Sequence, residues 1–213
     1  MGSAAASTRA RRPGGNLSIV RSLLASLALL AAPSLVAAAD LVVELRDARG
    51  APVADAVAWA VPEGRKPTPP TRVAVMDQRN RTFVPHVLTI QTGTAVRFPN
   101  SDNVRHQVYS FAAAKKFQLP LYEGTPAAPV VFDKPGVVSL GCNIHDRMSA
   151  FIVVVDTPYF AGFAAARAEL SDLPEGRYQV HVWYEGMRAE PAPQAVSLSG
   201  AERKDVQFSS ERK

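Results

Sequence analysis

Short runs of alternating or β-branched residues, separated by turn-forming residues, restrict this 213-residue chain to an all-β fold. Runs such as 87–91 and 104–111 are separated by segments rich in Gly, Pro, Asn and Asp, which end strands and begin turns. Strands at this spacing are typical of β-sandwiches. The predicted strands are 41–46, 56–61, 87–91, 94–98, 104–111, 130–133, 137–140, 151–155 and 177–184. Two short segments, 112–117 and 163–170, have a helical pattern instead.

The first 39 residues predict a cleaved secretory signal peptide. Four arginines precede or open an apolar run at 23–32, and the alanines at 37–39 suit cleavage before Asp40. The apolar run is too short to span a membrane comfortably, and the sequence contains no other candidate span. We therefore expect an exported, periplasmic protein without a stable membrane span in its mature form.

Removal of this segment also removes most of the net charge. The chain has 24 basic and 19 acidic residues, and the signal segment carries four arginines and no acidic residue, which leaves 20 basic and 19 acidic residues. The mature sequence has no basic stripe of the kind that binds phosphates. The sequence therefore predicts no nucleic-acid partner.

Breaks in composition divide the mature chain into segments. Segment 62–71 contains four prolines and predicts a stiff extended linker, and a second break lies at 156–158. The block between these breaks contains every predicted metal ligand, and the chain ends in a polar segment at 201–213. The predicted divisions are 40–62, a linker at 63–72, a central block at 73–156 and a C-terminal segment at 157–213.

The only cysteine, Cys142, is followed by His145 and Met148 at intervals of three residues. In an exported protein, an unpaired thiol is prone to oxidation unless it is buried or bound to a metal. Thiolate, imidazole and thioether groups together suit copper, and two histidines, a cysteine and a weak axial methionine form the blue-copper arrangement. The alternative is a small buried cysteine with unrelated neighbours, which the loop position, the flanking strands and secretion disfavour.

A second histidine ligand is expected at His106. Side chains alternate along a strand, so His106 shares one face of its strand with Val104, Val108 and Ser110. A lone histidine on an apolar face is often a hydrogen-bonded core residue, but here the Cys142 loop is available to meet it. We therefore predict that His106 completes one copper site.

Residues 73–155 resemble a cupredoxin, the blue copper domain of plastocyanin and amicyanin. The spacing of Cys142, His145 and Met148 matches the short ligand loop of amicyanin, and His106 follows an Asn/Asp-rich turn, as the first histidine of such domains does. The resemblance implies a Greek-key β-sandwich with one type 1 copper, whose ligands are His106, Cys142, His145 and Met148. It also implies electron transfer with a redox protein partner.

The wider pattern resembles exported plastocyanin-like proteins that carry the label methylamine-utilisation protein. Segments 98–100 and 140–146 contribute to this resemblance. Two positions depart from the small blue copper proteins, because Gln107 stands where asparagine is common and Asn143-Ile144 replaces a proline-containing pair. These departures concern the hydrogen bonds around the ligands more than the ligands themselves.

The flanking segments resemble a carboxypeptidase-regulatory-like sandwich. Segment 41–57 looks like its opening hairpin, and segment 173–180 looks like a later turn and strand. Because these segments lie on either side of the cupredoxin-like block, the resemblance implies that the copper domain is inserted in, or joined to, a second small β-sandwich. The alternative is that both flanks add edge strands to one enlarged sandwich.

The remaining histidines and two further methionines are predicted to have structural roles. His86 alternates with apolar residues on a strand face, and a hydrogen-bonded structural histidine is favoured over a second metal site. His181 shares the outer face of its strand with Trp183 and is predicted to lie at the surface. Core packing is predicted for Met76 and Met187.

The leading functional hypothesis is an exported type 1 copper protein that carries single electrons between redox partners and is not an enzyme. No acid-base pair or nucleophile accompanies the predicted ligands. A single cysteine excludes cysteine-rich zinc and iron-sulfur sites, and four histidines are too few for a multicopper oxidase cluster. One alternative is a periplasmic copper chaperone or storage protein. Another is an adhesion or scaffolding sandwich whose metal is only structural.

Overall fold

Every regular element in the part of the chain that the computed structural model describes, residues 38–66, 68–126 and 128–210, is a β-strand. This observation confirms the predicted all-β class. The predicted signal peptide lies outside the described residues, apart from its last two alanines. In chain order, the strands are β1 (Ala38–Asp47), β2 (Ala56–Pro62), β3 (Val73–Val75), β4 (Asp77–Arg79), β5 (Thr82–Val84), β6 (Val87–Gln91), β7 (Thr94–Arg97), β8 (His106–Phe111), β9 (Lys116–Tyr122), β10 (Val130–Phe132), β11 (Gly136–Gly141), β12 (Ser149–Val155), β13 (Phe160–Gly162), β14 (Arg167–Pro174), β15 (Gly176–Tyr184), β16 (Gln194–Leu198) and β17 (Arg203–Ser210).

Strands from the two ends of the described chain form a sandwich of two sheets, here called the flanking sandwich. Its sheets have the strand orders β14-β1-β17 and β13-β2-β15-β16. β1 pairs antiparallel with β14 and parallel with β17, so both ends of the described chain share one sheet. Successive side chains of a strand point to opposite faces, and the inward faces of both sheets meet in one apolar core. This core includes Leu41, Leu45, Leu170, Tyr178 and Tyr184.

The strands from β3 to β12 form a second sandwich, here called the central sandwich. A five-stranded sheet, β6-β12-β11-β8-β9, and a three-stranded sheet, β10-β7-β3, share a separate core. β12 runs parallel to β6 and antiparallel to β11, and β4 and β5 form a small hairpin. This arrangement confirms the predicted fold class, a β-sandwich consistent with a cupredoxin. The core includes Met76, Phe98, Val108, Phe132 and Ile152.

A third apolar cluster joins the two sandwiches. Phe151 and Val153 of β12 pack in this cluster with Trp183 of β15. Trp183 is only 8% exposed, although it lies on the strand face that the sequence indicated as the outer one. His181 is half-buried and stacks on Trp59, with their ring centroids 5.1 Å apart. The outer face of β15 is therefore partly covered by the central sandwich.

Both segments with a predicted helical pattern are turns and strands, so these two predictions are wrong. A turn in which the Lys115 N–H donates to the Ala112 carbonyl at 3.1 Å leads into β9, which pairs with β8. The second segment turns tightly into β14, with Ala165 at a φ of 55°. Pairing with β8 and β1 outweighs the helix propensity of these short segments, which is weak.

The proline-rich segment and the start of β1 lie near predicted boundaries of the chain. β2 ends at Pro62 and β3 begins at Val73, and the described residues between them contain no strand. β1 begins at Ala38, and the buried Ala39 pairs with Leu173, so this strand extends across the predicted cleavage position. Among the described residues, no helix has the length and apolar character needed to cross a membrane.

Candidate metal centre

The loop between β11 and β12 contains two consecutive turns that explain the spacing of the predicted ligands. The His145 N–H faces the Cys142 carbonyl at 3.4 Å, and the Met148 N–H donates to the His145 carbonyl at 2.9 Å. A turn of this kind brings the Cα atoms of its first and fourth residues to within about 7 Å of each other. Cys142 and Met148 are 4% and 2% exposed and belong to the core of the central sandwich.

His106 approaches this loop from the neighbouring strand. It is the first residue of β8 and is fully buried, on the same face as Val108 and Ser110, as the strand periodicity predicted. Its Nδ1 atom lies 4.0 Å from the Cys142 sulfur, and the His145 Nδ1 lies 4.0 Å from the same sulfur. One ligand atom from each of these three residues lies within 4.8 Å of the other two. The fold therefore brings the predicted cysteine and both predicted histidines together.

The donor atoms have a spacing that fits one metal ion. Bonds of about 2.1 Å to nitrogen and about 2.3 Å to sulfur, as zinc makes, separate the donors by about 3.8 Å at a trigonal angle. Both sulfur-to-nitrogen distances in the protein are 4.0 Å. A thiolate with two imidazoles is a donor set that suits copper, and a buried methionine on the same loop is compatible with a weak axial ligand.

Asp102 determines which nitrogen of His106 faces the cysteine. Its Oδ2 atom lies 2.7 Å from His106 Nε2. The backbone N–H groups of Asn80 and Arg81 donate to the same carboxylate at 2.6 and 2.9 Å. Burial acts to raise the pKa of Asp102, but the backbone hydrogen bonds and the one from His106 together lower it. An ionised carboxylate only accepts hydrogen bonds, so Nε2 carries the proton and Nδ1 presents its lone pair to Cys142.

Asn100 holds the turn that leads to His106. Its Nδ2 atom donates to the Val104 carbonyl at 2.8 Å and to the Tyr122 carbonyl at 3.0 Å. Its Oδ1 atom accepts the backbone N–H of Asp102 at 3.0 Å. Asparagine favours turns because its side chain can bond to nearby backbone groups. The Asn/Asp-rich turn found in the sequence therefore positions both His106 and the carboxylate that orients it.

Tyr122, on β9, lies opposite His106. Its hydroxyl group stays protonated although it is close to the metal site. Its hydroxyl donates to the Phe98 carbonyl at 2.7 Å and accepts a hydrogen bond from Gln78 Nε2 at 2.5 Å. Burial is the main cause that raises the pKa of Tyr122 to about 12, and an electrostatic contribution from Cys142 adds to it. The phenol therefore acts as a neutral support beneath the site.

Gly141, directly before Cys142, allows a tyrosine ring to lie against the backbone. Gly141 pairs with Tyr109 across β11 and β8. A Cβ atom at residue 141 would lie 2.7 Å from Cζ and from the hydroxyl oxygen of Tyr109. Close-packed atoms do not tolerate such a contact. Glycine is therefore required here unless the Tyr109 ring moves.

The two positions that depart from the blue-copper pattern bond to each other. Asn143 Nδ2 donates to Gln107 Oε1 at 2.7 Å, which ties the ligand loop to β8. Ile144 is 50% exposed, and His145 is partly exposed beside it. The outer edge of the site thus combines one imidazole with one apolar side chain.

Sequence reasoning missed the roles of Asp102 and Gly141. An acidic residue four positions before the histidine, within a turn, was a signal for the first role. No local signal indicated that Tyr109 would lie over Gly141, because the contact joins two strands. The other predicted structural histidines do not join this site. His86 contacts Phe151 edge to face, with ring centroids 5.7 Å apart.

Solved structures similar to this chain are copper proteins of the cupredoxin kind, at low identity and partial coverage. A reduced amicyanin variant is 20% identical, and the match covers 46% of this chain and 99% of the amicyanin chain with a TM-score of 0.36. A purple cupredoxin from Nitrosopumilus maritimus is 24% identical, with 38% and 96% covered and a TM-score of 0.33.

A copper-containing nitrite reductase from Thermus scotoductus is 27% identical. That match covers 45% of this chain and 25% of the reductase, with a TM-score of 0.38. A scan against protein-family models and a search of curated proteins found no match.

Proposed function

We propose that the protein is an exported type 1 copper protein that carries single electrons between redox partners. The observation that best supports the proposal is the set of His106, Cys142 and His145, with both Nδ1 atoms 4.0 Å from the sulfur. Met148, buried on the same loop, is the proposed axial ligand. When bound, copper supplies a one-electron couple.

The contacts that hold the proposed ligands in place favour electron transfer. Asp102 fixes the ring of His106, and two turns fix the loop that carries Cys142 and His145. Ligands that are held in this way need to move little when the metal changes its oxidation state. A small rearrangement favours rapid electron exchange.

The burial of the ligands favours a carrier over a chaperone, a store or an enzyme. His106 and Cys142 are 0% and 4% exposed, whereas His145 is partly exposed. Copper delivery to an acceptor and substrate binding at the metal both require access to the ion. An electron requires only a short path to the surface, which the edge of His145 offers. Ile144 provides an apolar contact for a redox partner beside it.

We also propose that residues 73–156 are a domain inserted into the flanking sandwich. The separate apolar cores of the two sandwiches support this division. The periplasm is the proposed site of action, which rests on the signal-like pattern of residues 1–39.

The absorption and electron spin resonance spectra of the copper-loaded protein test the proposed function. We expect an intense visible band from thiolate-to-copper charge transfer in the oxidised protein. Cys142→Ser should remove the band. Met148→Leu should keep the band and shift the redox potential, whereas Met76→Leu, an equally buried methionine outside the ligand loop, should change neither.

Two outcomes would contradict the proposal. Absence of the visible band at full copper occupancy would exclude a type 1 site. A normal band combined with slow electron self-exchange and ready copper transfer to an acceptor would favour the chaperone or storage alternative.

A further inference from the structure

A second group of metal-ligating side chains, Asp55, His86 and Glu185, lies where the two sandwiches meet. Asp55 precedes β2, His86 precedes β6 and Glu185 follows β15. One ligand atom from each of the three lies within 4.8 Å of the other two. His86 Nε2 lies 2.9 Å from Glu185 Oε2. The group therefore combines one imidazole of the central sandwich with two carboxylates of the flanking sandwich.

The backbone holds each member of this group in place. The His86 carbonyl accepts the Phe151 N–H at 2.9 Å, and the His86 ring packs edge to face on the Phe151 ring. The Glu185 N–H faces the Asp55 carbonyl at 3.4 Å. The three side chains thus start from positions that the strands already fix, which limits the ordering that a ligand would impose.

Solvent reaches the group from a neighbouring cavity. The cavity has a volume of about 410 Å³, and both Asp55 and His86 line it. Glu185 does not line this cavity, but its side chain is 45% exposed to solvent. An ion can therefore enter, and water can occupy the coordination positions that the protein leaves open.

The donor chemistry suits a small divalent transition metal. Zinc binds imidazole nitrogen and carboxylate oxygen at about 2.0–2.2 Å, and sites with three protein ligands keep water in the fourth position. Two carboxylates also offset the charge of a divalent ion. We propose that Asp55, His86 and Glu185 bind one Zn²⁺ ion, which fastens the flanking sandwich to the central sandwich.

A second histidine pair in the protein provides a matched comparison. His181 Nδ1 lies 3.2 Å from Glu190 Oε1. Among the described residues, no third ligand group completes a cluster with this pair as Asp55 does with His86 and Glu185. An ion pair near the surface contributes little to stability. The difference between the two pairs is therefore the third ligand.

Calorimetric titration of the purified full-length protein with ZnCl₂, after copper loading, tests the proposal. Wild-type protein should bind one more equivalent of Zn²⁺ than His86→Ala. His181→Ala should match the wild type. Glu185→Gln, which keeps the size of the side chain, should weaken zinc binding by about tenfold or more. Because the comparison is between variants, zinc bound at the cysteine site cancels whether or not that site accepts copper.

Thermal unfolding with and without Zn²⁺ provides the second measurement. Zinc should raise the melting temperature of the wild type and of His181→Ala more than that of His86→Ala, because a ligand stabilises the state that binds it. If His86→Ala does not fold, Glu185→Gln takes its place in both measurements. Equal zinc stoichiometry and equal affinity in the wild type and these variants would overturn the proposal and leave His86 and Glu185 as an ion pair only.

Discussion

The two sandwiches differ in what they bury. In the flanking sandwich, aliphatic residues, two tyrosines and one phenylalanine fill the core. In the central sandwich, the core contains the cysteine and two methionines. Seven of the nine buried polar residues among those described also belong to this sandwich, between residues 73 and 156. These seven are Asp77, Gln78, Gln91, Thr94, Asn100, His106 and Ser110. A buried polar group destabilises a core unless it has a partner.

This difference indicates that the two cores serve different purposes. Apolar burial in the flanking sandwich contributes stability without placing any particular side chain. Hydrogen bonds in the central sandwich hold His106 and its turn, as Asn100 and Asp102 show. Substitutions in the first core should therefore change stability, and substitutions in the second should change metal binding as well.

The largest expected effect on stability is that of Tyr178→Ala in the flanking core. Tyr178 is 1% exposed, and its hydroxyl donates to the Pro174 carbonyl at 2.6 Å. Replacing a buried aromatic residue with alanine should lower the free energy of unfolding by about 3–5 kcal/mol. Urea unfolding of the metal-free protein measures this change. Phe111→Ala, at a residue that is 75% exposed, is the control and should change it by less than about 0.5 kcal/mol.

The copper spectrum of folded Tyr178→Ala should match that of the wild type. Loss of the visible band in a folded Tyr178→Ala protein would show that the flanking core also determines the geometry of the metal site, and the comparison between the sandwiches would fail.

Asn100→Ala should produce the next largest change. The Val104 and Tyr122 carbonyls would lose the donor that Asn100 provides. A buried acceptor without a partner costs about 1–3 kcal/mol, so the free energy of unfolding should fall by that amount. Copper binding should weaken too, because the turn before His106 loosens. Asn103→Ala, at an exposed position in the same turn, is the control. Equal unfolding curves for the two variants would contradict the role of Asn100.

Asp102→Asn should act mainly on the metal. The substitution keeps the size of the side chain but removes the charge of the carboxylate that accepts the hydrogen bond from His106 Nε2. Loss of such a supporting hydrogen bond lowers metal affinity by about 10–100-fold. Competition with a chelator of known affinity measures the change. Asp133→Asn, at an exposed residue paired with Lys115, should leave copper affinity unaltered.

The lowered pKa of Asp102 predicts that the stability of the metal-free protein depends on pH. This pKa is lowered from the ordinary value of 3.8, so the contribution of Asp102 to stability is present above that value. The contribution is lost as the pH falls below 3.8, and it should be absent from Asp102→Asn. A steeper acid transition in the variant than in the wild type would contradict this sign.

The sequence predicted features that depend on local pattern and missed those that depend on pairing. β6 and β15 alternate clearly and were predicted within one residue. β9 was missed because it begins in an Ala/Lys-rich segment and contains Pro120, which an edge strand tolerates. Residues 201–213 were predicted to be a polar end of the chain, yet they contain β17, whose Val206 and Phe208 face the flanking core.

The same distinction applies to the sites. Cys142, His145 and Met148 lie within one loop, so their spacing was visible in the sequence. The structure brings His106 to Cys142 and His145, whereas the full ligand set stays a prediction. Glu185 is 99 residues from His86, and no periodicity could relate them. Only the packing of the two sandwiches brings them together.

The smallest expected effect concerns the bond between Asn143 and Gln107 at the outer edge of the site. Both side chains are near the surface, so water can replace either partner, and Gln107→Ala should lower the free energy of unfolding by no more than about 0.5 kcal/mol. The rate of copper loss to a chelator should rise, because this bond ties the ligand loop to β8. If the two side chains act only on each other, Asn143→Ala and the double variant should lose copper at the same rate as Gln107→Ala. A double variant that loses copper faster than both single variants would show that each side chain restrains the loop through a separate partner, and the loop would then depend on more of the central sandwich than this one bond.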